Sequence, residues 1–412
     1  MKYGLVGKSL SHSYSKAIHG FFGNVEYDLL EIQGDDLDGF MRQADFNGIN
    51  VTIPYKESVL PYCRLDSVAQ KIGSVNTVVN KDGTLYGYNT DYRGLSHMAK
   101  SAGITFAGKK VVILGSGGTS KTAACVAGDF NAKEVVVVSR AGENNYENIA
   151  RHADADILVN TTPVGMFPGN GQTPVSLDVF DRLSSVVDVV YNPLRTRLLL
   201  DARERGIVAT GGLVMLVAQA LCAHNLFFDV EADDDAFDVK VGEVLAKTER
   251  LFLNIVLVGM PGCGKTSVGK KLAKNLEMTF VDTDTVIEEK AGRKPGDIIW
   301  ESGEPFFRKL ESEVISQVAC GRRQVIATGG GSILAKENRD ALLQNGTVIF
   351  LDREITALDT RNRPLSHDLQ AMHRQRRPIY ESFCHHKVKV TGSVHDTVAI
   401  VEGVLSGGQF TN

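Results

Sequence analysis

The sequence predicts an α/β protein built on parallel sheets, and three observations carry that prediction. Two apolar strands, one near residue 111 and one near 255, each run into a glycine-rich loop and then a helix-like stretch. Several apolar runs are short and continuous, as expected of strands buried on both faces. Composition is that of an ordinary globular chain, with 43% apolar and 23% charged among 412 residues. At about 150 residues per domain, that length makes two to three compact units.

In chain order, Met1–Gly7 reads as a first strand. It lacks the apolar run and small-residue cleavage site of a secretory signal. Lys110–Leu114 is the next clear strand. Gly115-Ser116-Gly117-Gly118-Thr119-Ser120 turns out of it, a helix-like stretch covers Lys121 to Phe130, and Glu134–Val138 forms a second strand. This is one βαβ unit. Its second strand ends in Ser139-Arg140. A carboxylate there would suit a free ribose hydroxyl, whereas a guanidinium suits a 2′-phosphate, so NADP is expected over NAD.

Leu213 to Phe228 is interrupted by Gln219, His224 and Asn225, and reads as a core helix instead of a membrane span. Asp229, Glu231, Asp233, Asp234, Asp235 and Asp238 follow, and such a run reads as a solvated turn. A helix from about Phe237 to Thr248 then closes the first half, which places a boundary near Glu249.

The second half opens on the strand Asn254–Val258. Gly259-Met260-Pro261-Gly262-Cys263-Gly264-Lys265-Thr266 follows, matching G-x-x-x-x-G-K-[ST] without a gap. Glycines let successive N–H groups face phosphates, Lys265 adds a point charge, and the Thr266 hydroxyl can coordinate magnesium. A nucleoside triphosphate is therefore expected, with Ser267 beside it. Phe280–Asp284 reads as the end of a strand, with Asp282 and Asp284 two apart on the same side.

Charge excludes some functions. With 45 basic and 49 acidic residues the net charge is -4, which offers no counterion-releasing face to nucleic acid. Six cysteines, at 63, 125, 222, 263, 320 and 384, form no C-x-x-C pair or Cys/His cluster. Neither zinc nor a disulfide framework is indicated, and a reducing cytoplasm is expected. His385-His386 read as surface residues.

A series of motifs fills the carboxy-terminal half. Gly303-Glu304-Pro305-Phe306-Phe307-Arg308 with Glu311, Thr328-Gly329-Gly330-Gly331, Arg363-Pro364-Leu365, and Arg376 before Pro378 and Tyr380 occur in that order. From about residue 252 to 412 the chain resembles the shikimate kinases. The resemblance implies that Asp284 holds shikimate hydroxyls and acts as base, while Arg308 and Arg376 clamp the carboxylate. Gly329, Gly330 and Gly331 would offer backbone to the substrate, and Asp282 would support magnesium through water. ATP would be held by Gly259, Pro261, Gly262, Cys263, Gly264, Lys265, Thr266 and Ser267. Arg361 would serve the adenine, and Arg363 would reach the transferring phosphate.

The amino-terminal half carries its own ordered set. It runs Ser11-His12-Ser13-Tyr14-Ser15, Asn50-Val51-Thr52 with Lys56, Val75-Asn76-Thr77 and Tyr88-Asn89-Thr90-Asp91. Asn160-Thr161-Thr162, Tyr191-Asn192-Pro193-Leu194 and Met215-Leu216-Val217-Ala218-Gln219 follow. Over residues 1 to about 248 this resembles the shikimate dehydrogenases. Lys56 and Asp91 match that family's catalytic pair. The resemblance implies that Ser13, Ser15, Asn50, Thr52, Asn76, Tyr191 and Gln219 contact the substrate. Gly115, Ser116, Gly117, Gly118, Thr119, Ser120, Ser139, Arg140 and Gly212 would hold NADP(H).

The implied architecture is a two-lobed dehydrogenase with an inserted Rossmann-type NADP domain, followed by a P-loop kinase domain with a parallel sheet. Residues 1–100 and 213–248 would form a discontinuous substrate-binding domain, 101–212 the NADP domain, and 249–412 the kinase. The implied activity is NADPH-dependent reduction of 3-dehydroshikimate to shikimate, followed by ATP- and magnesium-dependent phosphorylation to shikimate 3-phosphate. Small molecules are the expected partners, with no nucleic acid or membrane. Two rivals are a ligand sensor without turnover and an enzyme also accepting quinate. Retention of Lys56, Asp91, Lys265 and Asp284 argues against the sensor.

Overall fold

The computed structural model describes residues 2–10, 13–23, 25–358 and 368–407. The chain divides into two units, Met1–Thr248 and Glu249–Asn412.

In the first unit, β1 (Tyr3–Gly7), β2 (Tyr27–Glu31), β3 (Gly48–Val51), β4 (Arg64–Leu65), β5 (Thr77–Lys81) and β6 (Thr84–Tyr88) form one sheet. Its order is β2-β1-β3-β5-β6-β4. β1 runs parallel to β2 and β3, and β5 is antiparallel to β3 and β6. The accompanying helices are α1 (Ser15–Phe22), α2 (Leu37–Gln43), α3 (Ser67–Ile72) and α4 (Thr90–Ser101). Asn89 starts α4 by accepting the Tyr92 N–H on its side chain, which satisfies a donor the helix itself leaves orphaned.

A second sheet comprises β7 (Lys110–Leu114), β8 (Glu134–Val138), β9 (Ile157–Asn160), β10 (Ser185–Asp188) and β11 (Val208–Gly211). Its order is β11-β10-β9-β7-β8 and every pairing is parallel. Val111 to Leu114 are all fully buried, as the unbroken apolar run predicts. α5 (Gly118–Asp129) and α6 (Arg197–Glu204) belong to this sheet, and α7 (Gly212–Phe228) and α8 (Asp234–Phe252) follow. α7 is a core helix: Leu213, Val217, Ala218, Leu221 and Phe227 are buried. It packs back against α4 at Gly94, where a β-carbon would lie 2.8 Å from the Met215 carbonyl oxygen.

Two boundaries differ from the sequence reading. α5 begins at Gly118, three residues before Lys121, because the glycine turn itself supplies the first turn. α8 begins at Asp234, so part of the acidic run is helical. Carboxylates in a first turn are favoured by the unpaired N–H groups there.

The second unit has one parallel sheet of β12 (Asn254–Val258), β13 (Thr279–Asp282), β14 (Gln324–Ala327), β15 (Gly346–Asp352) and β16 (His386–Lys389). Its order is β13-β14-β12-β15-β16. The helices are α9 (Lys265–Asn275), α10 (Thr283–Ala291), α11 (Pro295–Ser302), α12 (Glu304–Ala319), α13 (Lys336–Asn345), α14 (Leu369–Phe383) and α15 (Val394–Gly407). The central strand β12 is wholly buried, and its Asn254 side chain is satisfied by donating to the Gly321 carbonyl and accepting from the Gln324 N–H. Trp300, the chain's one tryptophan, stands 90% exposed on α11. His385 is not simply a surface residue, since its Nδ1 accepts the Val348 N–H.

All six cysteines are free. Among the described residues, no helix is long and apolar enough to cross a membrane.

Candidate active sites

In the first unit Lys56 follows β3 and Asp91 lies in the first turn of α4, 35 residues apart in sequence. The Lys56 Nζ meets Asp91 Oδ2 at 2.5 Å, with side chains 15% and 8% exposed. Charges this sheltered are screened far less than surface pairs, so the ammonium is held in place. Its neighbours fix the geometry further. Asn89 Nδ2 donates to the Ser74 carbonyl, and the Val75 N–H donates to the Lys56 carbonyl.

A buried polar network lies alongside. Tyr27 donates to Asn50 Oδ1 at 2.7 Å, and Asn50 Nδ2 donates to Thr77 Oγ1 at 3.0 Å. The Thr90 N–H donates to Asn76 Oδ1 at 2.7 Å, which fixes the Asn76 amide with its nitrogen toward Thr90 Oγ1 and Gln219 Oε1. Gln219 in turn donates to the Leu216 carbonyl. Sequence reasoning assigned no role to Tyr27, Thr77 or Thr90. The last two were visible only as the companions of Asn76 and Asp91 in their motifs. Ser13 Oγ accepts the Ser15 N–H, and Tyr14 between them packs edge-on to Tyr191, with ring centroids 5.1 Å apart. Thr52 is half-buried, and its N–H donates to the Val6 carbonyl. Ser11 and His12 lie outside the described residues.

The glycine loop abuts this pair. Gly115 has φ +108°, which favours glycine, and Gly117 caps α5. A β-carbon on Gly118 would lie 3.0 Å from Ser74 Oγ and 3.7 Å from Lys56 Cδ. Ser74 is itself buried with a hydroxyl that finds no partner among the described residues. Lys121, in the first turns of α5, pairs with Glu57 at 2.7 Å. Thus the α5 amino terminus, with its free N–H groups, faces the Lys56 segment, while Ser116, Thr119 and Ser120 complete the turn. At the end of β8, Ser139 donates its N–H to Asn144, and Arg140 is exposed with no carboxylate partner among the described residues. A dinucleotide with an extra phosphate fits this donor set: bare backbone N–H groups for the pyrophosphate and a free guanidinium beyond. Gly212 opens α7, and a β-carbon there would lie 2.0 Å from the Val189 oxygen.

The second unit builds a phosphate cradle. Gly262 and Gly264 have φ +79° and +107°, and Gly264 caps α9. Lys265, 8% exposed, donates to the carbonyls of Gly259 (2.8 Å) and Met260 (3.0 Å) across the loop. Cys263 is fully buried beneath it, while Ser267 faces solvent. Thr266 Oγ1 donates to Asp282 Oδ2 at 2.8 Å. This hydroxyl–carboxylate pair beside the cradle fits a hard cation that keeps water and phosphate ligands.

One expectation is corrected here. Asp282 and Asp284 do not share a strand face. β13 stops at Asp282, which caps α10 by accepting the Asp284 N–H at 3.1 Å, so Asp284 sits in a helical first turn. An aspartate ending a short apolar run is a strong helix start.

The three glycines after β14 each lie close against a neighbour. A β-carbon on Gly329 would lie 2.9 Å from Asp284 Oδ1 and 3.1 Å from Glu311 Oε1. On Gly330 it would strike the Pro261 ring at 2.8 Å, and on Gly331 the Arg308 guanidinium at 2.7 Å. Arg308 Nη1 donates to Glu311 at 2.8 Å and Nη2 to Glu304 at 2.9 Å. Burial opposes the Arg308 charge, but Glu311 and then Glu304 outweigh it and raise its pKa. Glu311, 1% exposed, has its pKa raised by burial and by Asp284, against the pull of Arg308 and Arg376. Its role went unassigned in the sequence, though its position three residues after Arg308 puts both on one helix face. Arg376 is half-buried, its Nε has no partner among the described residues, and burial together with the like charge of Arg308 lowers its pKa. Two guanidiniums, one with an idle donor, make a site for an anion. Tyr380, one turn on, donates to the Gly330 carbonyl at 2.6 Å. Arg361 and Arg363 lie outside the described residues.

A separate hollow of about 610 Å³, lined by Arg93, Cys222, Asp229 and Phe237, shares no residue with either site. Its acidic rim is partly neutralised by the Arg93–Asp234 pair.

Comparison with known proteins follows this division. A shikimate dehydrogenase (NADP(+)) of Clostridium beijerinckii is 35% identical over 253 residues, covering 56% of this chain and 93% of the relative. The chain belongs to the shikimate dehydrogenase family. The family model for the shikimate dehydrogenase substrate binding domain matches residues 5–78, and that for shikimate kinase matches residues 261–403. Both kinds of enzyme domain are therefore present in one polypeptide. Shikimate dehydrogenase 1 from Peptoclostridium difficile superposes with a TM-score of 0.56 at 37% identity, covering 60% of this chain and 99% of that one. The shikimate 5-dehydrogenase of Thermus thermophilus, solved with NADP(H) and shikimate, gives 0.53 at 28% identity, covering 59% and 99%. A chorismate mutase/shikimate 5-dehydrogenase fusion from Clostridium acetobutylicum gives 0.55 at 34%, covering 60% and 97%, so this dehydrogenase fold occurs in other fusions.

Proposed function

We propose that this chain catalyses two consecutive reactions on one small acid. It reduces 3-dehydroshikimate to shikimate with NADPH, then phosphorylates shikimate with ATP and magnesium. The observation that carries the reading is the sheltered Lys56–Asp91 pair, set against the glycine turn of a parallel nucleotide-binding sheet.

Bound NADPH supplies the hydride. Reduction of a ketone leaves an oxyanion, which must be stabilised as it forms. Lys56 donates a proton from Nζ to that oxygen, and Asp91 keeps the ammonium oriented and charged until it does so. In reverse, the Lys56 amine takes the proton back. Asn76, Gln219, Thr52, Ser13 and Ser15 orient the ring by its hydroxyls and carboxylate, and Arg140 binds the 2′-phosphate.

In the second unit, bound ATP with magnesium supplies the phosphoryl group. Arg308 and Arg376 hold the shikimate carboxylate. Asp284 accepts the hydroxyl proton, and Lys265 leaves its loop carbonyls to meet the phosphates. Positioning and charge stabilisation dominate such transfers. We further propose that residues 1–100 with 213–248 form the substrate lobe, 101–212 the NADP lobe and 249–412 the kinase. Six free thiols suit residence in a reducing cytoplasm.

The test is a coupled assay on the intact chain, following NADPH consumption and shikimate 3-phosphate formation from 3-dehydroshikimate. Both signals are expected. Ligand binding without either signal would return the sensor reading.

A further inference from the structure

Four strand ends of the nucleotide-binding sheet lie level: Leu114, Asn160, Asp188 and Gly211 are successive register partners across β7, β9, β10 and β11. Ligands of open α/β sheets bind beyond such ends, at the point where strand order reverses. Here that point is β7, which lies between β9 and β8. Asp188, one of the four, is fully buried, an expensive place for a carboxylate.

Its two oxygens are fully engaged. Oδ1 accepts Asn160 Nδ2 and the Val190 N–H, each at 3.0 Å, and Oδ2 accepts the Thr196 hydroxyl at 2.6 Å. Each partner anchors a different segment. Asn160 uses its own oxygen to accept the Thr162 N–H and hydroxyl, fixing the turn after β9. The adjoining Thr161 hydroxyl reaches the Leu114 carbonyl at 2.6 Å and lies 2.7 Å from where a β-carbon on Gly115 would be. Val190 precedes Tyr191, and Val189 is the residue that Gly212 of α7 packs against. Thr196 caps α6 by accepting the Leu199 N–H. One carboxylate therefore ties together the loops after β9 and β10 and the start of α6.

We infer that Asp188 is a positioning residue of the dehydrogenase, acting through Asn160 and Val190 to set the turns that face the nicotinamide and present Tyr191 to the substrate. The inference rests on the dehydrogenase reading above.

All its described partners are neutral: the Asn160 amide, the Val190 N–H and the Thr196 hydroxyl. Burial pushes its pKa up to about 6, against the pull of Thr196, Val190 and Asn160. A proton taken up there removes an acceptor that these donors need, so the positioning is lost as pH falls through that range.

The experiment measures kcat and KM for NADPH and 3-dehydroshikimate from about pH 5 to 9 on the full chain, for wild type, Asp188→Asn and Thr196→Ala. Asp188→Asn is expected to lower kcat/KM by about tenfold or more, since small misplacements in an active site are costly. It should also erase the decline on the acid side near pH 6, while kinase turnover stays at the wild-type level. Wild-type kcat/KM with an unchanged acid limb would overturn the inference. Should Asp188→Asn fail to fold, Thr196→Ala decides, because loss of its hydrogen bond raises the Asp188 pKa. An acid limb moved to higher pH supports the inference, and an unmoved limb overturns it. A wild-type chain that cannot reduce 3-dehydroshikimate at all would instead defeat the dehydrogenase reading.

Discussion

Single residues carry the sharpest expectations. Lys56 acts on a charge that exists only as the ketone is reduced, so Lys56→Ala should cut kcat by about 10²- to 10⁴-fold with little change in KM. Steady-state kinetics check this, and equal losses in both constants would contradict the role. Arg140 is exposed without a carboxylate partner among the described residues. Arg140→Ala should therefore raise KM for NADPH by about tenfold, the loss of a charged hydrogen bond, and leave KM for NADH unchanged. His19 makes a third case. It is buried against Tyr27, its ring nitrogens have no hydrogen-bond partner at good geometry among the described residues, and burial with nearby His224, against a smaller opposing pull from Asn50, pushes its pKa down to about 3. Below about pH 6.5 the unfolded chain takes up this proton and the folded chain does not, so stability falls as pH drops, by about 2 kcal/mol at pH 5. Asp188 works in the opposite sense below about pH 6, because its folded form binds the proton more tightly. Comparison of wild type with His19→Phe by urea titration at pH 7 and 5 isolates the histidine. The variant should lose less stability on acidification.

At the scale of elements, the loop Gly329-Gly330-Gly331 shows how one turn can serve three neighbours. Gly330 lies against a rigid proline ring, whereas Gly331 lies against the movable end of Arg308. Gly331→Ala should therefore leave the melting temperature nearly unchanged but raise KM for shikimate by about tenfold, by displacing the guanidinium that holds the carboxylate. An unchanged KM would detach Arg308 from substrate binding. Elements were also the scale at which sequence reading did best. The strands Lys110–Leu114, Glu134–Val138 and Asn254–Val258 are found with those bounds, since buried parallel strands announce themselves as continuous apolar runs. Junctions were harder. Asp282 could end a strand or begin a helix by local pattern alone, and only its acceptance of the Asp284 N–H decides the matter. The Tyr27–Asn50–Thr77 contacts and the Asn160–Asp188 bond join residues distant in sequence, and no periodicity records them.

For the whole molecule, each unit has apolar clusters of its own. The central strand of the kinase sheet packs into its own apolar cluster, and the dehydrogenase clusters contain none of its residues. Lys265→Ala should consequently reduce kinase turnover by about 10²-fold or more, since the lysine supplies charge to the phosphates, while dehydrogenase kinetics stay at the wild-type level. Parallel assays of both activities on one preparation check this, and a joint loss would mean that the units depend on each other.

The solitary indole at Trp300 gives the protein a built-in optical label. Selectively excited ultraviolet emission from this chain originates in the kinase unit alone, with no background from the partner enzyme. A change in that emission on adding a ligand can thus be assigned to the kinase unit on the native fusion without a dye.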